Sequence, residues 1–190
     1  MGLDMYLHKR TYVKNWNFMG ADERHQITVK KAKKKHPHIQ TKRICYIVEE
    51  IGYWRKANQI HQWFVEHTQG GVDRNGEETY VEHSQLQELL DTCILVRDNA
   101  KLKDGNVEHG YTFDDKGKKV SFLKPGKVLV NTSVAKELLP TTSGFFFGGT
   151  DYDQYYMEDI LNTIEILETE LNTKNENGNY TGDVYYRSSW

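Results

Sequence analysis

Apolar and polar residues alternate cleanly between Leu3 and Val13. Leu3, Met5 and Leu7 fall on one side; Asp4, Tyr6, His8 and Arg10 fall on the other. A period of two belongs to a strand with one buried face, so a first strand is expected here. Residues 14–42 show no period and are rich in Lys, Asn and His, which reads as a long basic loop or arm with a short helix around 22–35. Residues 43–51 predict a second strand. Residues 54–68 predict a helix, because Trp54, Ala57, Ile60, His61 and Phe64 follow helical spacing and Gly70-Gly71 can close it. A short strand is expected at 79–81. Ser84 to Gln87 fits a capping box, and Leu86, Leu89, Leu90, Cys93 and Ile94 continue as an apolar helical stripe with Cys93 in the core.

In the second half, Tyr111 and Phe113 lead into Asp114-Asp115-Lys116-Gly117, and Val120 and Phe122 lead out, the pattern of a hairpin. Lys124-Pro125-Gly126 predicts a turn and residues 128–130 a strand. Asn131 or Thr132 can cap a short helix that stops at Pro140. Phe145 to Phe147 predicts a short apolar strand. Residues 152–172 predict the longest helix, with Met157, Ile160, Leu161, Ile164, Leu167 and Leu171 as its buried stripe; residues 182–190 predict a last strand. Several neighbouring strands are joined too tightly for parallel crossovers. The expected fold is therefore α+β: a single domain over 1–190 with a mainly antiparallel or mixed sheet, three to four packing helices, and the arm at 14–42 as an insertion.

Composition supports a folded chain. Of 190 residues 37% are hydrophobic, and they include 7 Phe, 4 Trp and 12 Tyr, more rings than disordered chains carry. No apolar run approaches the roughly 18 residues of a membrane span. The first residues lack the basic-then-apolar pattern of a secretory signal, so a cytoplasmic protein with reduced thiols is expected. The formal net charge of -2 hides a split: residues 1–43 carry 11 Lys/Arg against 3 Asp/Glu, and residues 44–190 carry 14 against 24. The lysine run at 29–38 can attract phosphate, although such runs usually contact only water. The acidic remainder could equally attract the arm of a second copy, giving a homo-oligomer.

No phosphate loop, dinucleotide fingerprint, zinc-helix pair or nucleophile elbow is present, so no catalytic residue, cofactor or metal is assigned. Eight histidines are many, yet His36 and His38 sit beside lysines, where a cation is repelled, and His61 and His67 do not share a helix face. Three segments carry candidate chemistry. Gly144 to Asp153 has the glycine-then-helix layout of a phosphate cradle, but Asp151 and Asp153 suit capping better and would repel phosphate. The nearby Tyr152, Tyr155 and Tyr156 cannot all enter a core, since their hydroxyls want partners. Tyr53, Trp54, Arg55, Lys56, Asn58 and Gln59 combine rings, cations and amides, a mix that can stack a base, pair a phosphate and read a base edge, with Trp54 as a core anchor and Arg55 as a surface cation the competing reading. The polar side of the first strand supplies Tyr6, His8 and Arg10. The candidate ligand-binding set is Tyr6, His8, Arg10, Tyr53, Trp54, Arg55, Asn58, Tyr152 and Tyr156.

Three blocks, Gly2 to Leu7, Glu50 to Asn58, and Leu138 to Gly148 with Thr150 to Asp153, together resemble a family of small uncharacterised proteins of phages and mobile elements. The resemblance implies a setting, not a reaction: such proteins often bind and block a host protein or sequester a host signal. The leading expectation is a non-catalytic phage-type protein that captures a small nucleotide-type ligand, such as a defence signal, in the host cytoplasm. Three alternatives stay open. One is an inhibitor of a host defence protein. Another is a phosphodiester-cleaving enzyme using His8 or His61 as base near Asp4 or Glu50. The least favoured is a nucleic-acid binder acting through the lysine arm.

Overall fold

The structure, a computed structural model, describes residues 2–35, 38–144 and 146–190. Along the chain come β1 (Asp4–Tyr12), the two-residue strands β2 (Lys30–Lys31) and β3 (Lys34–Lys35), a 3-10 turn (Thr41–Arg43), β4 (Tyr46–Arg55), α1 (Asn58–Thr68), β5 (Thr79–Val81), α2 (His83–Asn99), β6 (Leu102–Phe113), β7 (Lys119–Leu129), α3 (Ser133–Leu138), α4 (Gln154–Asn172) and β8 (Asp183–Ser189). The main sheet has the order β4-β1-β8-β5, every neighbouring pair antiparallel. β2–β3 and β6–β7 form separate two-stranded ribbons. The architecture is α+β, as the pattern of elements predicts. Among the described residues, no helix is long and apolar enough to cross a membrane.

β1 is central, and its alternation sets the layers. Leu3, Met5 and Leu7 are wholly buried and join Ile60 and Phe64 of α1, Leu86, Leu89 and Cys93 of α2, and Ile160 and Leu167 of α4 in one core. Each such side chain contributes about 1.5–3 kcal/mol by leaving water. Burial also pushes the Cys93 thiol up to about 12, so it acts as an apolar filler. The helices cover this inner face only.

β4 runs to Arg55, four residues past its expected end, and the helix after it starts at Asn58, not at residue 54. The cause is a bulge. Leu7 pairs with Gly52 but His8 pairs with Glu50, leaving Ile51 as an extra residue. One inserted residue inverts every later side chain. Trp54 therefore turns inward opposite Met5, while Tyr53 and Arg55 turn outward opposite Tyr6 and Asp4. At Gly52 an added Cβ would stand 2.9 Å from Ile166 of α4, so the absence of a side chain lets the helix lie on the strand.

Other expectations change in detail. The arm at 14–42 holds the β2–β3 ribbon and no helix over 22–35; His36 and Pro37 lie outside the described residues. The capping box of α2 starts at Glu82, whose N–H donates to Gln85 Oε1 at 2.9 Å, two residues before Ser84. The hairpin is far longer than its tip predicted, and Lys124-Pro125-Gly126 runs as strand, not turn. Proline is tolerated there because each strand of a two-stranded ribbon has a free edge. Phe146 and Phe147 form a turn, not a strand, and Phe145 lies outside the described residues. Leu161 faces solvent at 48% exposure, off the stripe of Met157, Ile160, Ile164, Leu167 and Leu171.

The inner face also holds a charge. Lys9 follows Leu7 in the inward series and is buried with Glu170 of α4; its Nζ donates to both carboxylate oxygens at 3.1 Å. Removing one partner strands the other charge in the interior, at a cost of about 3–5 kcal/mol, whereas an apolar pair of similar volume is often neutral. Lys9→Met should lower urea-unfolding stability by that amount, and Lys9→Met with Glu170→Leu should restore most of it. A double variant as weak as the single one would show that the pair is not a closed unit.

Candidate functional site

Past Arg55 the chain must leave the sheet and enter α1 within two residues. Lys56 does this in the left-handed region at φ 65°, strained for a residue with a Cβ. Its backbone oxygen and Cβ press on Gly148, where an added Cβ would stand 3.1 and 2.9 Å away and φ is 91°. Asn58 then fastens the loop after α3: its amide donates to the carbonyls of Phe147 at 3.0 Å and Gly149 at 2.8 Å, and its oxygen accepts from the N–H of Thr142 at 2.8 Å. Tyr152 closes the other side, its hydroxyl accepting from the N–H of Thr141 at 3.2 Å.

Between this loop, the first turns of α4 and the ribbon β6–β7 lies a cleft of about 880 Å3. Its size suits a small ligand. Tyr111, Phe113 and Lys119 line it from the ribbon, Tyr155, Tyr156, Glu158 and Asp159 from α4, and Arg55, Lys56 and Gln59 from the β4–α1 junction. Asp153 caps α4, accepting from the N–H groups of Tyr155 at 2.8 Å and Tyr156 at 3.2 Å, so of the two aspartates it is Asp153 that acts as the cap. On the ribbon, Lys119 sits 2.9 Å from Glu108, which also accepts from Ser121; both bonds hold the Glu108 carboxyl below its usual range.

Asp159 is the chemically unusual group. Gln59 donates to its Oδ2 at 3.1 Å, and the Thr163 hydroxyl donates to its backbone carbonyl at 2.7 Å. Thr163 in turn accepts from the buried indole N–H of Trp54 at 2.9 Å. Burial pushes the Asp159 carboxyl up to about 7, with Glu158 and Asp153 adding to the rise and Gln59 opposing it. Near neutral pH it can therefore donate or accept a hydrogen bond. Neither spacing nor motif marks this residue in the sequence.

The expected site residues divide into three groups. Trp54 and Tyr156 are core, 2% and 3% exposed; Trp54 bonds Thr163, and the Tyr156 hydroxyl donates to the Leu139 carbonyl at 3.0 Å. Neither ring is open to stack a base, although Tyr156 forms part of the cleft floor. Asn58 and Tyr152 have their polar atoms committed to the loop; Asn58 lines the cleft, and Tyr152 packs against the core. Tyr6, His8, Arg10 and Tyr53 come together on the outer face of the sheet. Tyr53 donates to Asp4 at 2.6 Å, which raises its phenol, and Arg55 lies 3.7 Å from the same carboxylate, joining the face to the cleft.

The histidines weighed as bases are apart. His8 faces Glu78 at 3.9 Å on the sheet. His61 is buried between the Tyr186 hydroxyl at 2.8 Å and Asp73 at 3.1 Å, and burial lowers its affinity for a proton. Among the described residues no three or more His, Cys, Asp and Glu side chains gather as a metal site. Compared with protein families, with curated proteins and with solved structures, the chain matches none.

Asp159 gives the cleft a pH signature. Its folded value of about 7 stands above the ordinary 3.8, so between those pH values the folded protein keeps a proton that the unfolded chain releases. That contribution is complete below pH 3.8 and is lost as pH rises through 7, amounting to at most about 4 kcal/mol. Asp159→Asn should therefore gain stability relative to the parent between pH 4.5 and pH 8 in urea titrations. A constant difference across that range would refute the assignment.

Proposed function

We propose that the protein is a non-catalytic, phage-type binding protein that captures a small nucleotide-type ligand in the cleft and so withholds a host signal. One observation carries the reading: the cleft brings rings, a carboxyl and cations together in one lining. Tyr111, Phe113 and Tyr155 offer exposed ring surface, Asp159 offers a carboxyl that can meet the donor or acceptor edge of a base, and Arg55, Lys56 and Lys119 offer cations for phosphate. Asp151 and Glu158 line the same cleft and oppose high negative charge. The cleft thus suits one or two phosphates better than a polyphosphate chain.

A panel of mononucleotides, cyclic dinucleotides and cyclic ADP-ribose forms tests this by thermal shift, followed by release of the ligand on heating and its identification by mass. A ligand present at 100 times its Kd stabilises the folded state by about 2.7 kcal/mol. The expected result is a raised melting temperature with the ligand recovered intact, lost in Tyr155→Ala with Arg55→Ala. No shift across the panel would defeat the reading, and recovery of a changed nucleotide would turn the protein into an enzyme.

A second reading, capture of a host protein, has its own support. Phe122 and Leu123 on the ribbon are 54% and 63% exposed, more apolar surface than a lone hairpin needs.

A further inference from the structure

The outer face of the main sheet carries an aromatic side chain on every strand. Tyr46 and Tyr53 stand on β4, Tyr6 and Tyr12 on β1, Tyr185 on β8 and Tyr80 on β5. Their rings form neighbouring pairs: Tyr12 and Tyr46 at 5.2 Å between centroids, Tyr6 and Tyr53 at 5.4 Å, Tyr6 and His8 at 5.9 Å, Tyr80 and Tyr185 at 5.8 Å. At one end Trp16 donates its indole N–H to the Tyr12 hydroxyl at 2.9 Å and stacks on Phe18, which is 85% exposed. Cross-strand ring pairs do stabilise sheets. That role explains each pair, but not a field that spans four strands and continues onto a loop where no strand pairs.

Cations are set among the rings. The Arg10 guanidinium lies 4.5 Å over the Tyr185 ring and is held there by Glu78; Lys14 lies 4.3 Å over Trp16; Arg187 shares the face, opposite Tyr6. The basic arm starts where β1 ends, beside Tyr12, and rejoins the sheet at Tyr46. π-Faces and guanidinium groups on a sheet face that no helix covers, next to a lysine-rich segment, form the chemistry that stacks unpaired bases and follows their phosphates. A duplex has no exposed base faces to offer such a surface.

We infer that the outer face of the β4-β1-β8-β5 sheet binds single-stranded nucleic acid by stacking its bases on the tyrosines, with little dependence on sequence or sugar. Asp4, Glu50, Asp183 and Glu78 stand on the same face and offset its arginines, so stacking, not phosphate contact, carries the affinity. This surface is separate from the cleft and stands or falls without it.

The test is fluorescence anisotropy with end-labelled 15-nucleotide oligo-dT and oligo-U and a 15-base-pair duplex, at 50 and 200 mM salt. Both single strands should bind, and the duplex at least tenfold more weakly. Each ring that stacks a base carries at least about fivefold in affinity. Tyr6→Ala with Tyr53→Ala should therefore weaken binding at least about 30-fold while leaving the salt slope unchanged. Tyr46→Ala with Tyr80→Ala, on the two edge strands, is the second variant should the central pair disturb folding, with circular dichroism as the check. Asp159→Asn, in the cleft, should bind like the parent. No single-strand binding at 50 mM salt, equal binding of duplex, or parent-like binding by both ring variants would each overturn the inference; the last would assign the affinity to the lysine arm.

Discussion

Everything else in this fold depends on a sheet whose helices all pack on one side. A four-stranded antiparallel sheet has two faces of equal area, and α1, α2 and α4 cover only the inner one. The inner face must then be closed against water, and it is: Leu3, Met5, Leu7, Trp54, Val81, Val184 and Tyr186 are at most 2% exposed. The outer face is under no such demand. Residues placed there are free of the core's constraints on polarity and shape, which leaves their identity to solubility, strand pairing or binding. Plain solvation is well served by Lys, Glu and Thr. Six tyrosines are a costly way to achieve it, because a half-exposed ring leaves apolar surface in water.

The bulge in β4 is where the one-sided design and the cleft meet. Without Ile51 as an extra residue, Trp54 would share the outer parity of Glu50. The shift turns its indole inward to Thr163, which anchors the backbone of Asp159; the same shift turns Tyr53 and Arg55 outward. One inserted residue therefore fixes both the floor of the cleft and the edge of the open face. The strained Lys56 and the fully bonded Asn58 follow at once, holding the loop that walls the cleft. Strain of about 1–3 kcal/mol at Lys56 persists only because its neighbours over-determine it.

The parts legible in the sequence are those governed by one strong period. The alternation of β1, the stripes of α2 and α4 and the turn of the β6–β7 hairpin depend on local patterning, and they appear where the pattern puts them. The misreadings share a different cause. At Trp54 the bulge breaks the alternation, and Trp54 itself then matches the spacing of α1 by coincidence. Pro125 looks like a turn because nothing local reveals that its strand has a free edge. Lys9 falls on the inward side of the alternation, but nothing local names its partner Glu170, 161 residues away. Asp159 is still less visible: its raised pKa comes first from burial, with Glu158 and Asp153 adding and Gln59 opposing, and that burial exists only in the tertiary fold. Of the expected site residues, Tyr6, His8, Arg10 and Tyr53 group together because strand pairing makes neighbours of residues two apart on adjoining strands. Trp54 and Tyr156 do not, because large rings at element junctions serve the core first.

Arg55 touches both surfaces, and the magnitude of that link decides whether they act together. It lines the cleft and lies 3.7 Å from Asp4, which also accepts from Tyr53 on the open face. A phosphate in the cleft that drew Arg55 away would leave Asp4 with Tyr53 alone and make the adjacent face more negative. The effect is reciprocal: an anion on the face would compete for the same guanidinium. Its size is bounded by the pair that is broken. Arg55 is exposed over more than half its side chain, and exposed pairs are worth about 0–1 kcal/mol. The coupling therefore stays within about fivefold in affinity, weakens further with salt, and opposes joint occupancy. Cleft and face are thus two nearly independent surfaces that meet at Arg55.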